Sequence, residues 1–355
     1  MRLTFCGSCG FVWNQAFDLA RMDYAVDYES TQAFSPTFNR FHERLARDLI
    51  DRYSLKNKRV IEVGCGQGEF IQLLCDMGDN QGIGYDPAYI GEPERGSMRF
   101  VPDYYTERYS DQDADFLCCK MTLEHIPNAF EFVARIRKTV ASRPDTIVFF
   151  QIPDVDRILE ERGFWDIYYE HCSYYSAGSL ARLFRHAGYD VMNVWRDYGD
   201  QYLMIEARPA TGAGDALPVE ETVAELAERI GTFSHKVESD REAWRRLILD
   251  THASGRKTVI WGGGSKGVSF LTTLNIGEEV ACAVDINPKK NGTYLAGGGH
   301  PVVTPDALKS LRPDLVILMN PIYQEEISEI LKGMDMTPRI VPVDAMARGE
   351  VAAVA

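Results

Sequence analysis

Two histidines lie in segments whose composition suits proton transfer. His171 sits in Tyr168-Tyr-Glu-His-Cys-Ser-Tyr-Tyr-Ser176, with Glu170 before it and aromatic rings on either side. Histidine takes and returns a proton near neutral pH more readily than any other side chain. A wall of rings excludes water and offers a face to a sugar or another ring. The opposing reading is a buried structural histidine satisfied by neighbouring hydroxyls, and the segment alone does not separate the two. His125 sits in Met121-Thr-Leu-Glu-His-Ile-Pro127, just past an apolar run. In open α/β sheets ligands collect at the carboxyl ends of the strands, which would place His125 beside them. The alternative there is that Glu124 and His125 cap the next helix.

A third constellation is Val60-Ile-Glu-Val-Gly-Cys-Gly-Gln-Gly-Glu-Phe70. A β-branched run ends in alternate glycines, Gly64, Gly66 and Gly68. A helical apolar pattern follows (Phe70, Ile71, Leu73, Leu74). Strand, glycine turn and helix bring backbone close to a nucleoside cofactor. A second short strand, Gly82-Ile-Gly-Tyr-Asp86, ends in an acid placed to accept ribose hydroxyls. Dinucleotide enzymes use G-x-G-x-x-G to seat a pyrophosphate. Here the turn reads E-x-G-x-G-x-G with Glu62 in the strand. That form resembles motif I of the class I S-adenosylmethionine (SAM) methyltransferases. Glu62, Gly64, Gly66, Gly68 and Asp86 are then the expected cofactor-binding residues, with Asp103, near the end of a third strand, facing the adenine.

The surrounding pattern supplies a frame for these residues. Phe41 to Tyr53 reads as an amphipathic helix (Leu45, Leu49, Ile50). Strands are expected at Met98–Val101, Ala114–Cys119 and Thr146–Gln151, and helices at Ala129–Val140 and Leu180–Ala187. Val191–Trp195 and Gln201–Ala207 look like a closing antiparallel pair. Such alternation predicts a parallel sheet with helices on both faces. Residues 1–40 read as irregular. Pro209–Pro218 is a plausible boundary, and a long helical period runs from Val219 to Asp250. From Thr258 the pattern restarts: strand Thr258–Trp261, turn Gly262-Gly-Gly-Ser-Lys-Gly267, helix, and a strand ending in Asp285. Gly262, Gly264, Gly267 and Asp285 invite a second nucleotide site. Substrate nucleotide or plain strand–helix packing is favoured there over a dinucleotide coenzyme.

The expected architecture is therefore α/β throughout. Residues 1–40 form an N-terminal segment, 41–208 a methyltransferase domain of class I Rossmann-like type, 209–254 a helical linker, and 255–355 a second Rossmann-like domain. Bulk composition agrees. The chain has 355 residues, 45% hydrophobic and 25% charged, as in ordinary globular proteins. Its net charge of -14 argues against nucleic acid or an anionic membrane as main partner. No apolar run approaches membrane-spanning length, and no signal peptide opens the chain. Eight scattered cysteines without secreted spacing point to a reduced, cytoplasmic protein.

Taken together, the markers resemble the sugar C-methyltransferase family of deoxysugar biosynthesis over nearly the whole chain. They are Cys6-x-x-Cys9-Gly10, the tyrosines of Asp23-Tyr-Ala-Val-Asp-Tyr28, motif I at 62–68, Leu123-Glu-His-Ile126 and Tyr169-Glu-His-Cys-Ser-Tyr174. The resemblance implies SAM as cofactor and a nucleotide-linked 4-keto sugar as substrate. It implies that His171 removes the proton beside the ketone and that Glu170 orients His171. His125 with Tyr24 or Tyr28 would bind the developing oxyanion, and the enolate carbon would attack the methyl group in line. It also implies an N-terminal zinc ribbon. Cys6 and Cys9 are one half of such a site; the upstream pair is missing from this sequence, through a shortened domain or an internal start at Met1, and zinc is not expected. An O- or N-methyltransferase on another small metabolite, and a non-catalytic nucleotide-binding protein, are the competing readings.

Overall fold

Parallel strands buried on both faces should read as unbroken apolar runs, and the centre of the first sheet does so. We describe residues 1–22, 31–210, 212 and 214–350 of a computed structural model. The chain divides into two units. The first comprises Met1–Tyr28, Phe38–Asp156 and Tyr169–Ala227; the second comprises Glu29–Thr37, Arg157–Tyr168 and Glu228–Ala355.

The first unit opens with two short strands, β1 (Leu3–Phe5) and β2 (Val12–Asn14), then helix α1 (Pro36–Tyr53). The sheet that follows uses β3 (Arg59–Val63), α2 (Glu69–Gly78), β4 (Gln81–Tyr85), β5 (Glu94–Arg95), β6 (Met98–Val101), β7 (Phe116–Lys120), α3 (Ala129–Thr139) and β8 (Ile147–Pro153). After α4 (Val155–Glu160) come β9 (Ser173–Tyr174), α5 (Ala177–His186), β10 (Tyr189–Asp197) and β11 (Tyr202–Pro209). Strand order is β10-β11-β8-β7-β3-β4-β6-β5. The five strands from β8 to β6 are parallel, with β11 antiparallel to β8 and β10 to β11. Winding reverses between β3 and β7, so the ligand crevice lies at their carboxyl ends. Strand β7 and nearly all of β8 are buried, as the apolar runs required.

The N-terminal residues expected to be irregular instead complete a second sheet, β1-β2-β9. Val12 pairs with Tyr174 and Trp13 with Ser173, so this small sheet grips the segment that carries His171. Three-residue strands have too few positions to show an alternation, which is why the pattern did not reveal them.

Helix α6 (Val223–Ala253) crosses from the first unit into the second. There it is more than a connector: Val237, Trp244, Leu247 and Ile248 belong to the second unit's core. The second unit's sheet joins β12 (Thr258–Trp261), β13 (Val280–Val284), β14 (Val302–Val303), β15 (Leu315–Leu318) and β16 (Arg339–Pro342). All its pairings are parallel, in the order β14-β13-β12-β15-β16. Helices α7 (Ser265–Leu274), α8 (Leu308–Leu311) and α9 (Gln324–Gly333) accompany it. The insert 157–168 stacks Phe164 on Phe270, with ring centroids 5.7 Å apart. Among the described residues no helix is long and apolar enough to cross a membrane.

Candidate active site

The glycine turn between β3 and α2 has left-handed backbone at all three expected glycines, with φ of 73°, 55° and 81° at Gly64, Gly66 and Gly68. Their reasons differ. A Cβ on Gly64 would stand 2.0 Å from Thr122 Oγ1, and one on Gly68 would stand 2.4 Å from the Phe100 ring. A Cβ on Gly66 would meet nothing within 4 Å. Gly66 therefore borders open space, as a turn that admits a ligand must. Its N–H donates to Asp86 Oδ2 at 2.8 Å, and Asp86 Oδ1 accepts from the Ala88 N–H at 2.8 Å. Each oxygen retains a lone pair for a ribose hydroxyl. Burial pushes the Asp86 pKa up, against the pull of those two hydrogen bonds. Gln67 latches the turn to the next loop, donating to Ala88 O at 3.0 Å.

Glu62 serves this turn differently from the cofactor contact expected of it. It is 2% exposed, and its Oε2 accepts the Ile71 N–H at 3.0 Å. One of the unpaired amides at the start of α2 is thereby satisfied, so the side chain braces the helix from inside the protein. Lys120, at the end of β7, shares this interior. Its ammonium lies 2.8 Å from His42 Nε2 and 3.7 Å from the centroid of the Phe70 ring. Burial pushes Glu62 up and Lys120 down, each partly offset by the other's charge. Asp103 is held at the surface by Tyr109, whose hydroxyl donates to it at 2.7 Å, and by Arg108. Those contacts hold its pKa below the usual carboxylate range, the Tyr109 hydrogen bond most of all.

Beyond β7 the chain turns sharply at Met121, a non-glycine residue at φ 50°. Leu123–His125 then form a single 3-10 turn. Neither Glu124 nor His125 caps the next helix, because the cap position of α3 falls on Asn128. Instead the turn is zipped to the His171 segment. The Cys172 N–H donates to Glu124 O at 2.9 Å, and His125 Nδ1 lies 3.1 Å from Glu170 O. The rings of His125 and His171 meet edge to face, with centroids 4.9 Å apart. Burial pushes His125 down to about 4, so it is neutral at physiological pH. Next to both histidines stands Glu124, 1% exposed, with its pKa pushed up by burial to about 8. An oxygen of Glu124 and a nitrogen of each ring lie within 4.8 Å of one another. This buried carboxyl was not singled out as a site residue from the sequence; its place four residues past a buried strand was the only signal. Glu170, expected to orient His171, contributes its backbone carbonyl to His125.

The N-terminal hairpin secures the same segment. Tyr169 Oη accepts the Asp18 N–H at 2.8 Å and donates to Ala16 O at 3.1 Å. Arg182 Nε donates to Cys9 O at 2.9 Å. Cys6 and Cys9 gather no third metal-binding side chain among the described residues. Tyr24 and Tyr28 lie outside the described residues.

The second unit repeats the first turn's device. The Gly263 N–H donates to Asp285 Oδ2 at 3.1 Å, and the Asn287 N–H donates to Asp285 Oδ1 at 2.9 Å. Here, however, Lys290 already pairs with Asp285 at 3.2 Å. Gly267 is explained by packing, since a Cβ there would stand 2.5 Å from Gly262 O.

Comparison with known proteins agrees with the two-unit plan. A methyltransferase domain family matches residues 38–194, and the C-methyltransferase C-terminal domain family matches residues 206–339. The chain is a SAM-dependent methyltransferase whose second half resembles this C-terminal domain, and the turn at 64–68 with Asp86 suits that cofactor. It is similar to the C-methyltransferase NovU of Streptomyces niveus, at 27% identity over 306 residues, covering 81% of this chain and 72% of NovU. Solved structures with a partial likeness include the 1,6-didemethyltoxoflavin-N1-methyltransferase of Burkholderia thailandensis, with 18% identity and a TM-score of 0.36 over 47% of this chain and 78% of that one. Magnesium protoporphyrin IX methyltransferase of Synechocystis PCC 6803 gives 15% identity and a TM-score of 0.38 over 52% of this chain and 90% of that one.

Proposed function

We propose that this enzyme methylates a carbon beside the ketone of a nucleotide-linked 4-keto deoxysugar, with His171 as the base. The observation that carries the reading is the joining of the 3-10 turn after β7 to the His171 segment. It brings two imidazoles together just beyond β7, and the turn's Thr122 abuts Gly64 of the SAM turn. SAM supplies an electrophilic methyl group on a sulfonium. His171 takes the proton from the carbon next to the carbonyl, and the electron pair of that C–H bond passes into the enolate. His125 spends its one N–H on the Glu170 carbonyl and is neutral, so its other ring nitrogen is bare, and its part is to fix the ring beside His171 rather than to donate to the oxyanion. His171 is 4% exposed, with the Tyr174 ring centroid 6.0 Å away, which keeps bulk water from the carbanion. The substrate carbon then takes the methyl group, and the sulfonium leaves as the neutral thioether.

The test is proton exchange in deuterated water without methyl donor, using a 4-keto nucleotide sugar. The parent should exchange the proton beside the ketone. His171→Asn should lose both exchange and methylation by roughly 10²–10⁴-fold, with SAM affinity unchanged. Methylation without exchange in the parent would favour an oxygen or nitrogen acceptor. Parental turnover in His171→Asn would move the base elsewhere, and loss of SAM binding would make His171 structural.

A further inference from the structure

Among the described residues Glu124 is the strongly buried acid beside the two imidazoles, and no step above uses it. Neither of its carboxyl oxygens has a hydrogen-bond partner among the described residues. Burial of an unpartnered carboxyl is costly, which sets this residue apart from ordinary packing. The groups facing it come from three stretches of chain. Its own turn supplies His125; the His171 segment supplies His171, Cys172 and Tyr175; β7 supplies Cys119. Burial pushes both thiols and the phenol up, so they remain neutral and none balances a carboxylate. The two imidazoles are thus its polar counterparts. His125 is engaged through Nδ1 by the Glu170 carbonyl at 3.1 Å, while the Cys172 N–H to Glu124 O bond holds Glu124 against the His171 segment. The Glu124 oxygen and the His171 nitrogen are within 4.8 Å. One water or a small carboxyl rotation closes such a gap.

We propose that Glu124 is the positioning residue that sets the tautomer of His171 and thereby decides whether its ring offers a lone pair to the substrate. The inference rests on His171 being the base. A neutral imidazole carries one N–H. An ionised Glu124 accepts that N–H from the near ring nitrogen, which leaves the far nitrogen bare and able to take a proton. A protonated Glu124 donates to the near nitrogen instead. The ring's single proton then sits on the far nitrogen, and the base is blocked. The blocked state holds one proton more than the active one, so turnover rises with pH as Glu124 ionises. Its raised pKa of about 8 moves that rise out of the acid range of ordinary carboxyls.

The experiment compares kcat against pH, SAM affinity and thermal melting for the parent and Glu124→Gln. The parent should show a rising limb with a midpoint near 8. Glu124→Gln should lose that limb and run about 10- to 10⁴-fold slower at high pH, the range for a mis-set base. Its SAM affinity should match the parent's, and Glu170→Gln should keep the limb. A limb that persists in Glu124→Gln overturns the proposal. If Glu124→Gln does not fold, the parent alone decides. With 15N-labelled histidine and no substrate, the two ring nitrogens of His171 should exchange their protonated and bare signals around the same midpoint. A His171 spectrum unchanged through that range overturns the proposal. The underlying reading fails separately, by parental turnover in His171→Asn.

Discussion

Asp86 shows how one side chain joins two jobs. Its carboxylate pins the glycine turn through the Gly66 N–H and remains open to a ribose. Asp86→Ala should weaken SAM binding by about 1–3 kcal/mol, the range for a lost charged hydrogen bond. Calorimetric titration measures this directly, and an unchanged affinity would take Asp86 out of the site. Its histidine counterpart is less accessible to sequence reasoning. That His171 meets His125, and that the buried acid nearby is Glu124, depends on pairing between residues almost fifty positions apart.

At the scale of elements, the turn after β3 contains glycines with two different physical duties. Gly64→Ala adds a left-handed residue and a collision with Thr122, roughly 2–5 kcal/mol in sum. Gly66→Ala adds only the backbone strain, about 1–2 kcal/mol, since its Cβ would meet nothing. The first should therefore show a large loss of melting temperature. The second should melt close to the parent yet bind SAM poorly, because its methyl group occupies the cofactor's space. Equal melting losses would contradict this division. Helix α1 carries a pH dependence of its own. Burial and Lys120 push His42 from 6.5 down to about 2. The folded chain keeps it neutral, whereas the unfolded chain protonates it below 6.5. That contribution to stability is present above this value and is lost as pH falls toward about 2. At about pH 4.5 the loss is about 2.7 kcal/mol. Denaturant titrations should show it in the parent and not in His42→Gln, which keeps an acceptor for Lys120 without titrating.

At the scale of the molecule, the insert 157–168 decides how the chain is threaded. It leaves the first unit after Asp156, packs within the second, and returns at Tyr169, two residues before His171. Trp165 is 1% exposed and shares a core with Trp244 and Phe270. Asp166 pairs with Lys266 at 2.9 Å and Arg157 at 3.3 Å. Trp165→Ala should cost about 3–5 kcal/mol, felt in the second unit. Hydrogen exchange should accelerate at β12, β15 and α7 and stay unchanged at β3 and β7. SAM affinity should hold. Acceleration in both units alike would show that they unfold as one.

Much of the frame was legible in the sequence because its signals are local. The run Val60–Val63 before three spaced glycines specifies a strand and a turn wherever it occurs. Ala114–Cys119 and Thr146–Gln151 announce central strands by their nearly unbroken apolar runs. The strand ending at Asp86 and the restart at Thr258 follow from the same rules. Tertiary structure alone decided the rest, since it depends on residues meeting across long stretches of chain. Val12 and Trp13 are a strand only because Ser173 and Tyr174 lie beside them. Glu62 reads as a ligand contact until burial turns its oxygen onto Ile71. Glu124 reads as a helix cap until the Cys172 amide claims its backbone and leaves its carboxyl inside the protein with two imidazoles. Periodicity reports which face of an element is buried; it carries no record of which partner waits there.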